Sequence, residues 1–242
     1  WIELDEDELR QREPDLDRRY TFGALVEEGG HCRDPGGYVA ALVSQAVSEG
    51  AALCRTRATG FRIEGGRLRA VATEAGEVAA DRAVIAAGAR SKALAAAAGS
   101  RVPLETERGY HAMVVDPGAG PRTPMMPYDG KMSVTWTDRG LRCAGQVEIA
   151  GLDAAPDWRR AEILRDHLIR SFPKLGQVPP ERVRLWMGHR PSMPDGLPCI
   201  GPAGASLDVM LAFGHGHVGL VAGPRTGHAV AALLAGRAPD IP

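Results

Sequence analysis

The 242-residue sequence has few aromatic side chains, no surplus of either charge and no long hydrophobic run. Its 29 Lys+Arg residues balance 30 Asp+Glu residues, so it lacks the basic excess that neutralises phosphates and is not expected to bind nucleic acid. The longest apolar stretch, residues 83–99, is interrupted by Arg90 and Lys92 and is shorter than the roughly 20 apolar residues of a membrane span. A hydrophobic content of 44% excludes disorder and predicts a buried core.

The sequence also lacks paired cysteines. No Cys-x-x-Cys spacing occurs, so neither a redox pair nor a zinc knuckle is predicted, and we expect buried free thiols in a reducing compartment. His215 and His217 fall on one side of an extended segment, but no third ligand is spaced with them, so no metal site is predicted. The four cysteines are Cys32, Cys54, Cys143 and Cys199.

A helix is predicted directly after a glycine-rich loop. Asp34 suits the N-cap, Pro35 the first helical position and Gly50 the C-terminal stop, which gives a helix over residues 35–49. Its apolar residues recur at helical spacing and form one stripe. The stripe consists of Tyr38, Val39, Leu42, Val43, Ala46 and Val47.

The next segment predicts a β-meander that leads into a buried strand. Short strands from residue 51 onwards are broken at Glu64–Gly66 and at Ala75–Gly76. The apolar run over 83–87 has no polar alternation, which is typical of a strand buried on both faces under helices. A helix over 91–98 follows it.

The remainder of the chain predicts an antiparallel sheet and a closing strand, loop and helix. Residues 104–149 are strand-like and punctuated by turns, and an amphipathic helix is predicted over 156–171. A further strand is predicted over 183–187, and the chain then ends as strand, glycine loop and helix. The predicted fold class is therefore mixed, α+β with an α/β part.

The glycine loop, residues 214–219, reads Gly-His-Gly-His-Val-Gly and matches the dinucleotide pattern G-x-G-x-x-G. A Rossmann unit needs a second parallel strand and an acidic residue about 20 positions on, and the residues after Gly219 suffice only for a helix and a terminus. The loop still offers close backbone approach and helix N-terminal amides, which suit a planar ring that carries carbonyls. A tight turn without a ligand is the alternative.

Four segments in order give the sequence a family resemblance: "ADRAVIAAGARSKAL", "PLETERGYHAMV", "WMGHRPSMPDGLPCIGP" and "FGHGHVGLVAGPRTGHAVAALLAG". They resemble the flavin-dependent amine and amino-acid oxidoreductases, which include D-amino-acid dehydrogenases, D-amino-acid oxidases, glycine oxidases and sarcosine oxidases. The resemblance implies FAD as the cofactor, a small-molecule amino acid as the substrate, and part of an FAD-binding domain with an inserted antiparallel-sheet substrate domain. The implied boundaries are 1–30 (substrate-domain strand and linker), 31–102 (FAD domain), 103–187 (substrate domain) and 188–242 (FAD domain).

One part of the family pattern has no counterpart in this sequence. Such proteins bind the ADP half of FAD on an N-terminal βαβ unit with its own G-x-G-x-x-G, and none lies upstream of residue 30. The chain opens on Trp1 with acidic residues where a signal peptide would be basic and apolar. We therefore expect the C-terminal portion of a longer flavoprotein, with the N-terminal FAD-binding segment as a missing partner and little flavin or activity in this chain alone.

The resemblance implies substrate-binding roles for four residues. Arg190 matches the arginine that binds the substrate carboxylate, and a guanidinium is suited to bidentate contact with a carboxylate. His217 is expected to face the substrate, with a histidine that only fills the loop as the alternative. Tyr110 and His111 match positions near the substrate cavity, with half-buried strand residues as the alternative.

The resemblance also implies cofactor contacts at three places. Ala58 stands where a backbone group contacts adenine, and Ala87 and Gly88 stand where the chain passes close to the cofactor. Backbone amides of the glycine loop are expected at the flavin pyrimidine edge, where they favour the negative charge of the reduced ring. The loop residues are Gly214, His215, Gly216, His217, Val218 and Gly219.

The preferred function is FAD-dependent oxidation of a D-amino acid, or a related secondary-amine acid, to the imino acid with hydride transfer to flavin. Because histidine occupies the second variable loop position, the loop resembles the dehydrogenase branch more than the oxidases. A membrane quinone or another electron carrier is the expected acceptor, and the expected location is cytoplasmic or peripheral at the inner membrane face. The alternatives are a non-catalytic remnant that binds a small carboxylate without flavin and, least favoured, a histidine-metal hydrolase.

Overall fold

The computed structural model describes residues 1–240. The strands are β1 (Ile2–Leu4), β2 (Gly23–Leu25), β3 (Ala58–Glu64), β4 (Arg67–Thr73), β5 (Gly76–Ala79), β6 (Ala83–Ile85), β7 (Glu105–Val114), β8 (Met132–Thr137), β9 (Gly140–Glu148), β10 (Val183–Ser192), β11 (Cys199–Ala203) and β12 (Ser206–Phe213). The α-helices are α1 (Glu6–Arg12), α2 (Pro35–Ser48), α3 (Ser91–Ala97), α4 (Arg159–Ser171) and α5 (Gly219–Leu234). None of the helices in residues 1–240 combines the length and apolar character that crossing a membrane requires.

The strands form four sheets, most of them antiparallel. The orders are β1-β2, β3-β4-β5, β10-β7-β9-β8 and β11-β12-β6. Strand β6 pairs with β12 in parallel, with Val209 opposite Ala83 and Leu211 opposite Ile85. The predicted mixed fold class, with a meander, an antiparallel sheet and parallel strands, is confirmed.

By their contacts the described residues divide into two compact units. The first unit comprises 1–45, 108–148 and 155–188, and the second comprises 46–107, 149–154 and the chain from 189 onwards. The domain limits implied by the family resemblance differ from these units at 31–45, 103–107, 149–154 and 188.

The core of the first unit lies between its four-stranded sheet and α4. Alternate residues of β7, such as Tyr110 and Ala112, are buried, as are Leu164 and Leu168 of α4. Glycine is required at Gly140 in the β8–β9 turn, because its φ of 134° is a conformation that side chains disfavour and a Cβ there would collide with the carbonyl of Val114.

The core of the second unit lies beneath the β11-β12-β6 sheet and includes residues of β4 and α3. Buried members include Leu68, Ile85, Val209 and Phe213. The buried carboxylate of Asp208 accepts a hydrogen bond from the backbone N–H of Leu68 (3.1 Å). This bond ties β12 to β4.

Several elements predicted from sequence are confirmed. Helix α2 begins at Pro35, and the Asp34 side chain accepts the hydrogen bond of the Gly37 N–H (3.0 Å), as expected for an N-cap. The meander appears as β3, β4 and β5 in antiparallel order. The amphipathic helix appears as α4, which starts at Arg159 rather than at residue 156.

The structure differs from the sequence predictions in burial. Val84 of β6 is 43% exposed, whereas Ile85 is buried, so this strand has only one fully covered face. The apolar stripe of α2 is exposed: Val39 is 52% and Leu42 is 53% accessible. The expectation of four buried thiols is wrong for the two exposed cysteines, Cys32 and Cys54, although all four cysteines are free.

Candidate functional site

The second unit brings two of the predicted cofactor segments to one edge of its β11-β12-β6 sheet. Since β6 and β12 are parallel neighbours, their carboxyl ends meet at the same edge. Ala87 and Gly88 follow β6, and the glycine loop 214–219 follows β12. The carboxyl edge of parallel strands is where open α/β sheets bind ligands.

A cavity of about 290 Å³ lies beside strand β6. It brings together Ala58 and Ala87, two residues far apart in sequence that were both predicted to contact the cofactor. Gly88 has a φ of 56°, a conformation that favours glycine, and the space beside its Cα is open, since a Cβ there would have no neighbour within 4 Å. The cavity is lined by Ala58, Phe61, Val71, Ala83, Val84, Ile85, Ala86, Ala87 and Leu94.

The glycine loop is a compact turn that leads into α5. Gly214 and Gly216 have φ values of 92° and 51°, which favour glycine. The N–H of Gly216 donates to the carbonyl of Pro191 (2.8 Å), and that of Val218 donates to His215 (3.0 Å). These two amides are used within the protein, and in the first turn of α5 the N–H groups of Val221 and Ala222 both donate to the carbonyl of Val218 (3.1 and 2.9 Å). The backbone donors best suited to a ligand are therefore those of Gly219 and Leu220, at the start of α5.

The His215 side chain turns onto α5. Its Nε2 lies 2.8 Å from the hydroxyl of Thr226, which itself donates to the carbonyl of Ala222 (3.0 Å). Since that hydroxyl proton is used, His215 donates from Nε2, and burial lowers the pKa of the imidazole below its usual value. A cofactor contact from His215 would therefore come from its backbone.

Arg190 and His217 lie in the second unit together with Glu107, for which no role was predicted. The Nε2 atom of His217 lies 3.1 Å from Oε2 of Glu107, and these side chains are 60% and 32% exposed. Burial lowers the pKa of Arg190, and the negative charge of Glu107 opposes that shift. The guanidinium stays charged. It belongs to β10, which is the sheet neighbour of the strand β7 that carries Glu107.

Backbone and side-chain hydrogen bonds hold this group in place. Ser192, at the end of β10, forms an isolated antiparallel bridge with His215 of the loop. At the start of β7, the hydroxyl of Thr106 lies 2.9 Å from Nδ1 of His189. Arg190 on β10, Glu107 on β7 and the glycine loop are thus joined by direct contacts of their neighbours.

Tyr110 lies in the first unit and faces its core. The side chain is 1% exposed, its hydroxyl donates to Oε2 of Glu148 (2.6 Å), and it accepts from the N–H of Asp157 (3.0 Å). Burial, and secondarily the bond to Glu148, raises the pKa of the phenol. The buried Arg108 guanidinium also pairs with Glu148 (3.3 Å). Tyr110 is therefore placed to support β7 and the segment before α4, which is a role other than the substrate contact that the resemblance implied.

His111 lies in the first unit on the opposite face of β7. Its ring stacks on Trp186 with centroids 5.0 Å apart, and its Nδ1 accepts from Nε of Arg142 (3.3 Å). Burial, reinforced by the charge of Arg142, lowers the pKa of His111 to about 4. The imidazole is neutral at pH 7 with its proton on Nε2, so it can donate one hydrogen bond.

No group of three or more His, Cys, Asp or Glu side chains arranged to hold a metal ion occurs within residues 1–240. The signal that would have identified Glu107 is its place in the resemblance segment "PLETERGYHAMV", three residues before Tyr110. Its partner His217 is 110 positions away, and no periodicity in the sequence relates the two.

Comparison with known proteins assigns the family. Residues 2–233 match the DAO family, described as FAD dependent oxidoreductase. The chain belongs to this family. The resemblance stated from the four segments is confirmed, and FAD is the cofactor of this DAO-family chain.

Individual relatives agree with that assignment. A D-amino-acid oxidase of Bradyrhizobium diazoefficiens is 62% identical over 243 residues, which is 100% of this chain and 58% of the relative. A D-amino acid dehydrogenase of Xanthobacter autotrophicus is 37% identical over 75% of this chain and 43% of its own length. The crystal structure of glycine oxidase from Geobacillus kaustophilus has a TM-score of 0.87 and 25% identity, and the match covers 98% of this chain and 63% of that structure. The chain thus spans less than two thirds of each.

The residues at the sheet edge fit parts of FAD. The cavity beside Ala58 and Ala87 is lined by apolar and small side chains, which suits a flat aromatic ring system. The loop and the first turn of α5 offer backbone donors for the carbonyl-bearing end of a flavin. The cavity runs along β6 to Ala87, and the glycine loop leaves the carboxyl end of the neighbouring strand β12.

Proposed function

We propose that this DAO-family chain supplies the substrate-binding and flavin-facing part of an FAD-dependent enzyme that oxidises a D-amino acid, or a related secondary-amine acid, to the imino acid. The observation that carries the proposal is the position of Arg190. It is partly buried and directly precedes Pro191, whose carbonyl accepts the hydrogen bond of Gly216 in the glycine loop. The strand that carries this carboxylate-binding cation is thereby bonded to the glycine loop that leads into α5.

The roles of the chain's own residues follow from this arrangement. Arg190 binds the substrate carboxylate with two parallel N–H groups and so orients the α-carbon. His217, held by Glu107, lies on the exposed side of the loop, where it can contact the substrate. The first-turn amides of α5 favour negative charge at their position. When bound, FAD supplies the acceptor for the α-hydrogen and the two electrons that the substrate loses.

We also propose that residues outside this chain bind the ADP half of FAD. The sequence holds one G-x-G-x-x-G, at 214–219, and within residues 1–240 the helix that follows it, α5, leads into no further strand. The exposed apolar stripe of α2 is consistent with a further packing partner, since contiguous exposed apolar surface marks interaction sites. The chain expressed alone is then expected to retain little flavin and to be inactive.

The electron acceptor is a second proposal. The Bradyrhizobium relative is named an oxidase and the Xanthobacter relative a dehydrogenase, and both names concern D-amino acids. We favour a dehydrogenase that passes electrons to a quinone or another carrier, because histidine occupies the second variable position of the loop. An oxidase consumes oxygen during turnover, whereas a dehydrogenase reduces an artificial dye, so measuring both distinguishes the two kinds of enzyme.

The test uses the full-length gene product that contains this chain. Under anaerobic conditions D-amino acids are expected to bleach the visible flavin band, whereas the L-enantiomers do not. A protein that holds flavin but is bleached by no amino acid would contradict the proposed reaction. A protein without flavin that still binds small carboxylates would favour the alternative, a non-catalytic carboxylate-binding remnant.

A further inference from the structure

Glu107 contacts His217 of the glycine loop and lies on β7, the sheet neighbour of the strand β10 that carries Arg190. Glu107 is 32% exposed on its side chain and is therefore accessible to a small molecule. Its Oε2 bonds to His217 (3.1 Å), and its Oε1 is not used by that bond. A carboxylate beside the arginine disfavours any ligand that carries only negative charge, because like charges repel.

The ligand that fits such a pair carries both charges. An α-amino acid has a carboxylate and an ammonium separated by one carbon, so a guanidinium and a carboxylate carried by the neighbouring strands β10 and β7 match it charge for charge. A hydroxy acid or a simple carboxylate offers the arginine the same contact but presents no ammonium to Glu107. Site groups left unpaired by the wrong ligand are a strong source of discrimination.

The neighbouring contacts keep Glu107 in this position. Thr106, the preceding residue, lies 2.9 Å from His189, and Ser192 bridges His215 of the loop. Glu105, two residues earlier on the same strand, instead pairs with Lys92 at 3.9 Å. The two glutamates therefore have different partners, Lys92 for Glu105 and His217 of the glycine loop for Glu107.

We propose that Glu107 determines substrate specificity by binding the amine of the substrate while Arg190 binds its carboxylate. The inference rests on the proposed function and deepens it, since it restricts the substrate to acids with a cationic primary or secondary amine. Hydroxy acids and N-acylated amino acids are excluded by the same pairing.

The test measures binding of two matched probes by calorimetry in the flavin-loaded full-length protein. 2-Aminoisobutyrate has no α-hydrogen and so cannot be oxidised, and isobutyrate is the same acid without the amine. Glu107→Gln is expected to raise the Kd of 2-aminoisobutyrate roughly tenfold and to leave that of isobutyrate unchanged or lower. Glu107→Asp, which keeps the charge, is expected to recover part of the loss. Glu105→Gln is the matched control and is expected to change neither Kd.

The outcomes separate this inference from the proposed function. Equal effects of Glu107→Gln on both probes, no effect on 2-aminoisobutyrate, or wild-type protein that binds both probes equally would overturn the role of Glu107 while oxidation of D-amino acids continued. Wild-type protein that binds neither probe and oxidises no amino acid would overturn the proposed function itself. Thermal melting of each variant checks that it is folded, and Glu107→Asp supplies the test if Glu107→Gln is not.

Discussion

Replacing Arg190 by alanine is the most direct perturbation of the proposed carboxylate contact. The guanidinium is partly buried, and hydrogen bonds to charged groups contribute about 1.5–3 kcal/mol, so KM for the amino acid should rise roughly 10- to 150-fold. The upper part of this range is expected, because the variant also leaves the negative charge of Glu107 facing the substrate carboxylate. Arg190→Lys keeps the charge but not the planar fork and should lose less.

The assay is steady-state kinetics of the flavin-loaded full-length protein with a D-amino acid and a saturating dye. Loss of binding that is shared by the ground state and the transition state raises KM more than it lowers kcat. Arg139→Ala, in the exposed β8–β9 turn, is the control and should leave both constants unchanged. A KM for Arg190→Ala within about twofold of wild type would show that Arg190 does not bind the substrate.

Three further predictions concern stability and reactivity. Asp208→Ala leaves the buried N–H of Leu68 without its acceptor, so the free energy of unfolding should fall by about 1–3 kcal/mol in urea titrations, and an unchanged midpoint would contradict this. For His111 the folded pKa of about 4 lies below the reference 6.5, so the unfolded state binds more protons between these values and stability should fall as pH drops from 6.5 to 4. His111→Gln should flatten that dependence, and an identical pH profile would argue against it. Burial raises the pKa of Cys143 to about 12, so a thiol reagent should label the two exposed cysteines of the native protein and reach Cys143 only after unfolding; equal native rates would refute its inertness.

Much of the secondary structure could be predicted because local signals were strong. The Asp34 cap and the meander turns are short-range features, and the structure has them where the sequence predicts them. Helix α1 was not predicted, although Asp5 and Glu8 form a capping box that was readable from the sequence. Strand β11 was missed because its segment is rich in glycine and proline.

The burial of individual side chains was harder to predict than the secondary structure. Periodicity identifies the apolar side of α2 but does not say what covers it, and Leu42 on that side is 53% exposed. For Tyr110 and His111, adjacent on one strand, the resemblance gave both the same role. The alternation of a strand sends them to opposite faces, so Tyr110 is a core residue and His111 is a half-buried residue stacked on Trp186.

Only those residues of the candidate site that belong to a sequence motif could be predicted. Arg190 and the glycine loop were predicted because they belong to recognisable sequence motifs. Glu107 was identified only from the structure, through its contact with His217. When the fold brings two polar side chains together from distant parts of the chain, their separation in the sequence follows no regular spacing. Motifs can therefore locate a site, but the groups that select its ligand emerge from tertiary contacts.

The parallel pairing of β6 with β12 has a consequence for synthesis of the protein. Ile85 pairs with Leu211, so β6 leaves the ribosome long before its partner exists. At about 5–20 residues per second the delay is roughly 6–25 s. During this time an apolar strand with unpaired backbone groups is open to other chains, which makes this pairing the expected point of aggregation and of dependence on chaperones. Slower translation between the two strands would lengthen the exposure, and a circular permutation that brings them together in sequence would shorten it.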